Sequence, residues 1–205
     1  MKKQIKQIFH NMIAKERTSG RQRLRENGNG TDQEREIAAR GESIDLTAQD
    51  VFDKVTDQKN FEKIVNDMLH EGRTPGCMLI GNLDRFKDID EIYGHDAGNA
   101  ILRSAVNILN AHFEQCTCIG RPVGDTFTLW IPEMNQENAD YIRMQVGRVN
   151  DRLLHPDKDL PPVSVSVGVA FYETGDDCRS LGKRASKMLY RVKESGRCGC
   201  EISMV

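Results

Sequence analysis

Asn82-Leu83-Asp84-Arg85-Phe86-Lys87-Asp88-Ile89-Asp90-Glu91-Ile92-Tyr93-Gly94-His95-Asp96-Ala97-Gly98-Asn99 is the stretch on which the fold of this chain turns. It follows Cys77-Met78-Leu79-Ile80, a short apolar run after Pro75-Gly76 that suits a buried strand better than a helix of that length. Helical spacing then occupies about 85–93 and 97–113, the second with Ile101, Leu102, Ala105, Ile108, Leu109 and Phe113 at core-facing intervals. The quoted residues therefore lie where a strand hands over to a pair of helices, and they are rich in carboxylates, amides and cations.

Downstream, Cys116–Gly120 and Phe127–Ile131 are β-prone runs separated by Arg121-Pro122-Val123-Gly124-Asp125-Thr126, a hairpin signal in which Pro and Gly supply the turn. A helix over about 136–154, an alternating strand over 163–170, a helix over about 180–195 and an edge strand at 200–204 complete the order. Upstream, Phe61, Ile64, Val65, Met68 and Leu69 mark one more amphipathic helix, with Gly72 at its expected end. A central hairpin makes at least part of the sheet antiparallel, so the fold class expected is α+β, a mostly antiparallel central sheet flanked by helices.

The N-terminal part reads differently. Ile5, Ile8, Phe9, Met12 and Ile13 fall on one helical face within residues 1–17, and the other face is basic. Such a stripe suits homodimerisation, peripheral contact with an anionic membrane surface, or packing on its own domain. Residues 18–49 are polar, with Asn27-Gly28-Asn29-Gly30 at their centre, and read as a partly helical linker. The folded domain is expected over 50–205. A formal net charge of -2 excludes a globally basic nucleic-acid binder, so DNA is not an expected partner. No apolar run approaches the roughly 20 residues of a membrane span, which points to a cytoplasmic chain. The six cysteines read as scattered reduced thiols.

Four ordered motifs carry a resemblance. The stretch 82–99 resembles the signature D-x-D-x-F-K-x-x-N-D-x-x-G-H-x-x-G-D of the GGDEF family, the palm-like domain of bacterial diguanylate cyclases. Arg121–Phe127 sits where that family has R-x-G-G-D/E-E-F. Val165–Ala170 is similar to its V-S-I-G-V-A strand, and Ala185–Arg197 to A-D-x-A-L-Y-x-A-K-x-x-G-R. The resemblance covers about residues 50–200 and implies a GGDEF/nucleotide-cyclase fold. Its family activity is the joining of two GTP molecules into cyclic di-GMP by a dimer.

What the resemblance implies for the site is mixed. Divalent metal, Mg²⁺ or Mn²⁺, would be held at the positions of Asn82, Asp125 and the Leu83 carbonyl, with Asp125 the surviving catalytic carboxylate. An amide at 82 brings no negative charge and weakens both metal binding and the local field. Asp84, near Asn82, is expected to point to the other face of the strand and so not to replace it. Val123 stands where the family has a close-approach glycine, and Thr126 where it has a glutamate, which a hydroxyl cannot match as a base. Nucleotide contacts are better kept: Lys87, Lys193 and Arg197 match phosphate-binding positions, and Gly124 keeps the second turn glycine. The base-reading asparagine and aspartate correspond to Asp90 and Asn99, exchanged in type. A carboxylate at 90 accepts both donors of guanine, while an amide at 99 suits adenine.

The expectation is therefore a degenerate GGDEF domain that binds a guanine nucleotide, GTP, or regulates, with little turnover. The alternatives are an active cyclase making cyclic di-GMP or a related dinucleotide, alone or in a mixed dimer with another cyclase, and a dimerisation module without a ligand, in which no metal is used.

Overall fold

A computed structural model describes residues 55–70, 75–122, 124–156 and 160–203. The helix expected over 1–17, the linker over 18–49, the start of the folded part near 50, Gly72 and Val123 lie outside the described residues. Apart from Leu160, those described belong to one compact unit, 54–157 with 161–205.

The described residues form six strands and five α-helices. The strands are β1 (Val55–Thr56), β2 (Gly76–Leu83), β3 (Cys118–Gly120), β4 (Thr126–Pro132), β5 (Val165–Phe171) and β6 (Gly199–Ser203). The helices are α1 (Gln58–His70), α2 (Phe86–Tyr93), α3 (His95–His112), α4 (Ala139–Leu154) and α5 (Cys178–Glu194). In space the strands run β1-β3-β4-β2-β5-β6. The pairs β3–β4, β4–β2 and β2–β5 are antiparallel, while the two outer pairs, β1–β3 and β5–β6, are parallel. The expected α+β class and mostly antiparallel sheet are found. The two-residue strand β1 has no expected counterpart.

β2 lies mid-sheet because nearly every one of its residues is apolar or small, so both its faces can be covered. Alternation along the strands sorts the core into two layers. Met78 and Ile80 of β2, Trp130 of β4 and Ala170 of β5 pack with Phe61 and Val65 of α1 and with Leu181 and Ala185 of α5. On the opposite face Leu79, Leu129, Val165 and Val167 meet Leu109 of α3 and Val146 and Val149 of α4. Asn82 continues the Met78–Ile80 series and so belongs to the α5 side.

One helix cap and one side-chain clamp fix the elements that place the site. Asp177 accepts the Ser180 backbone N–H at 2.7 Å while Ser180 Oγ accepts the Asp177 N–H at 3.0 Å, a reciprocal box that opens α5. On α4, the buried Asn150 side chain accepts the Val165 N–H at 2.8 Å and donates to the Val165 carbonyl at 3.0 Å, holding the first residue of β5. Among the described residues no helix is long and apolar enough to cross a membrane.

Candidate functional site

The site forms at the end of β2, where register sets Asn82 opposite Thr126 of β4 on one side and Ser166 of β5 on the other. The Asn82 amide nitrogen donates to Asp125 Oδ1 at 2.8 Å and to Thr126 Oγ1 at 3.0 Å. Its Oδ1 accepts from Lys193 Nζ at 2.7 Å. The amide orientation follows from these neighbours, since a flipped amide would set oxygen against a carboxylate and NH₂ against an ammonium. The turn before β4 is tied down by the Leu83 N–H on the Asp125 carbonyl at 3.2 Å and by Arg121 Nε on the Gly124 carbonyl at 2.8 Å. Gly124 has φ +56°, a conformation that favours glycine. Burial lowers the Arg121 guanidinium from its ordinary value, and the nearby Asp125 carboxylate opposes that shift.

Asp84 corrects one expectation. Positions two apart in a strand share a face, and Asp84 bonds Ser166, the cross-strand partner of Asn82, so it does not point away. What withholds it is its own bonding. Asp84 is buried, with Oδ1 accepting from Ser166 Oγ at 2.7 Å and Oδ2 from Ser164 Oγ at 2.7 Å and the Cys198 N–H at 3.1 Å. That last bond anchors the segment after α5, where Arg197 (φ 69°) and Cys198 (φ 53°) both adopt left-handed backbone. Ser164, Ser166 and Cys198 were not among the expected site residues, and the left-handed backbone at Arg197 was not foreseen. The V-S-V-S alternation of 163–166 was the available signal, because hydroxyls on one face of a buried strand need partners.

Beside this network lies an open cleft of about 500 Å³. Arg85, Lys87, Lys193 and Arg197 line it together with Asp84, Asp88 and Asp125, four cations against three carboxylates. Asp84 is enclosed as described, and Asp88 accepts from Arg85 Nε at 2.9 Å. Lys87 is exposed, 3.8 Å from Glu91. Thus Asn82, Leu83, Lys87, Asp125, Lys193 and Arg197 of the expected set are brought together. Arg85, with left-handed φ 56°, joins them unforeseen.

Asp90 and Asn99 fall outside the lining of this cleft. Asp90, near the end of α2, faces α3: a Cβ added at Gly98 would stand 1.9 Å from Asp90 Oδ1. That oxygen is buried with no hydrogen-bond partner, while Oδ2 lies 3.4 Å from His95 Nδ1. Gly98 is therefore required by the close approach of a carboxylate. Asn99 is half-buried beside it on α3.

The donor set at Asn82, Asp125 and the Leu83 carbonyl can be tested against a divalent ion. It offers one carboxylate, and its amide oxygen already accepts an ammonium. Mg²⁺ and Mn²⁺ are held chiefly by carboxylate charge, and a +2 ion at this amide would sit against Lys193. As arranged, the residues do not fit a resident divalent ion. Among the described residues no group of three or more His, Cys, Asp or Glu is placed to hold one. The cysteines are free, and burial pushes Cys116 up to about 11 and Cys118, Cys178 and Cys200 up to about 12, which keeps these thiols protonated and unreactive near neutrality.

Residues 47–198 match the family model described as "Diguanylate cyclase, GGDEF domain". The chain is 32% identical over 124 residues to the diguanylate cyclase DgcM of Escherichia coli, covering 58% of this chain and 29% of that protein. It is 28% identical over 146 residues to an uncharacterised membrane protein of Staphylococcus saprophyticus, covering 68% of this chain and 41% of that one. The chain thus spans less than half the length of either relative. The fold superposes on the GGDEF domain of DgcB from Caulobacter crescentus, solved in complex with c-di-GMP, with TM-score 0.64 and 21% identity over 72% of this chain and 91% of that one.

Proposed function

The chain belongs to the GGDEF-domain family, a signalling domain related to diguanylate cyclases, and from that premise we propose that it holds a guanine nucleotide, GTP, as a regulatory module and turns it over poorly. The observation that carries the reading is the contrast within one cleft. Four cationic side chains converge where phosphates would lie, while the groups that would do chemistry are neutral or already engaged.

Phosphate binding asks for charge-assisted donors, and Lys193, Arg197, Lys87 and Arg85 supply them. Cyclisation asks for more: a 3'-hydroxyl must lose its proton and charge must be absorbed at the α-phosphate. Thr126 is a hydroxyl that accepts from Asn82 and offers no carboxylate for the proton. Asp125, the remaining carboxylate of the turn, accepts from the same amide. The resemblance gives Asp90 and Asn99 to the base, and a carboxylate at 90 favours guanine, whose two donors it can accept.

The test is thermal unfolding of the chain with GTP and with ATP. A ligand bound only by the folded state adds about 2.7 kcal/mol at a hundredfold excess over Kd. GTP is expected to raise the midpoint more than ATP does, and Lys193→Ala with Arg197→Ala is expected to erase the rise. A midpoint unmoved by either nucleotide removes the reading and leaves the module without a ligand.

A further inference from the structure

We infer that Lys193 takes the electrostatic place of a divalent cation at this site, so that the chain binds its nucleotide without metal and Asn82 is the residue that sets this preference. The inference rests on the nucleotide reading above and deepens it.

The geometry points this way on three counts. First, Lys193 Nζ, Asn82 and Asp125 form one hydrogen-bonded line, at 2.7 Å and 2.8 Å, in which the amide accepts from the cation and donates to the anion. Every polar atom of Asn82 is thereby used, the second amide contact going to Thr126 Oγ1. With aspartate at 82, two carboxylates would face each other across that 2.8 Å gap, and one ammonium could not neutralise both. A divalent ion would then be drawn in. With asparagine the charges of Lys193 and Asp125 already balance.

Second, the other two carboxylates among the described residues of the cleft are already bonded and do not restore the missing charge. Asp84 is enclosed by Ser164, Ser166 and the Cys198 N–H, and Asp88 is paired with Arg85. Third, the cleft has one more cation than carboxylate among its lining side chains. Such a cleft attracts the nucleotide carrying more negative charge, which is the metal-free form, and the ammonium of Lys193 stays within reach of its phosphates.

The experiment is calorimetric titration of the full chain with GTP, once in excess Mg²⁺ and once in EDTA, repeated for Asn82→Asp. For the native chain, Kd in EDTA is expected to equal or fall below Kd in Mg²⁺. For Asn82→Asp, removing Mg²⁺ is expected to weaken binding by about tenfold or more, as a second carboxylate then opposes the phosphates. Circular dichroism checks that the variant folds, and the native comparison decides the matter even if it does not. Native binding that weakens about tenfold in EDTA overturns the inference and leaves GTP binding standing. No heat of binding in either buffer, with no thermal shift, overturns the nucleotide reading and this inference with it.

Discussion

Gly168→Ala should destabilise the protein by about 3 kcal/mol or more, lowering the thermal midpoint by roughly 10 °C. Gly168 lies in β5 under α5, and an added Cβ would stand 2.1 Å from the Ala185 carbonyl oxygen and 2.2 Å from the Leu189 nitrogen. Both are backbone atoms, so no side chain can turn aside; strand and helix would have to part. That separation moves the whole of α5, and with it the Lys193 ammonium that bonds Asn82. Gly147→Ala is the control. It sits on the exposed side of α4 with nothing within 4 Å of its added Cβ, and there the change should stabilise by about 0.5–1 kcal/mol. Denaturant melts of the two variants check the pair. Equal midpoints would mean that α5 does not approach β5 as closely as described.

Asp84→Ala should cost about 3–5 kcal/mol. The carboxylate accepts from two serine hydroxyls and one backbone N–H inside the fold, and alanine leaves all three without it. The Ser164 and Ser166 hydroxyls can rotate toward other acceptors, whereas the Cys198 N–H is fixed by the left-handed backbone around it. Loss should therefore appear as fast amide exchange at Cys198 as well as a lower melting midpoint. Asp84→Asn should cost about 1–2 kcal/mol, because its oxygen still accepts and the hydroxyls can turn to accept from its amide. A silent Asp84→Ala would mean that Asp84 faces solvent.

How much of this was legible beforehand follows from how local each feature is. β2, the two helices after it, the β3–β4 hairpin and α5 were readable because each is announced by its own periodicity or turn residues. Several boundaries moved by a few residues, and at α5 the reason is a cap: the helix starts at Cys178 rather than about 180 because Asp177 and Ser180 cap each other. β1 escaped notice since two residues, Val55 and Thr56, have no period, and their strand exists only through pairing with Ile119 and Gly120. In the site, Lys87, Asp125, Lys193 and Arg197, singled out by motif spacing, line one cleft. Spacing could not tell that Asn82 would link Lys193 to Asp125, because that depends on α5 lying close over β5 at Gly168, a contact between residues far apart in the chain.

Whether nucleotide is held and not cyclised is read by incubating the chain with radiolabelled GTP, separating protein from free nucleotide, and analysing both fractions for GTP and cyclic di-GMP. Label is expected to stay on the protein as intact GTP, with less than about one cyclic di-GMP formed per chain. Many cyclic di-GMP molecules per chain would contradict that expectation.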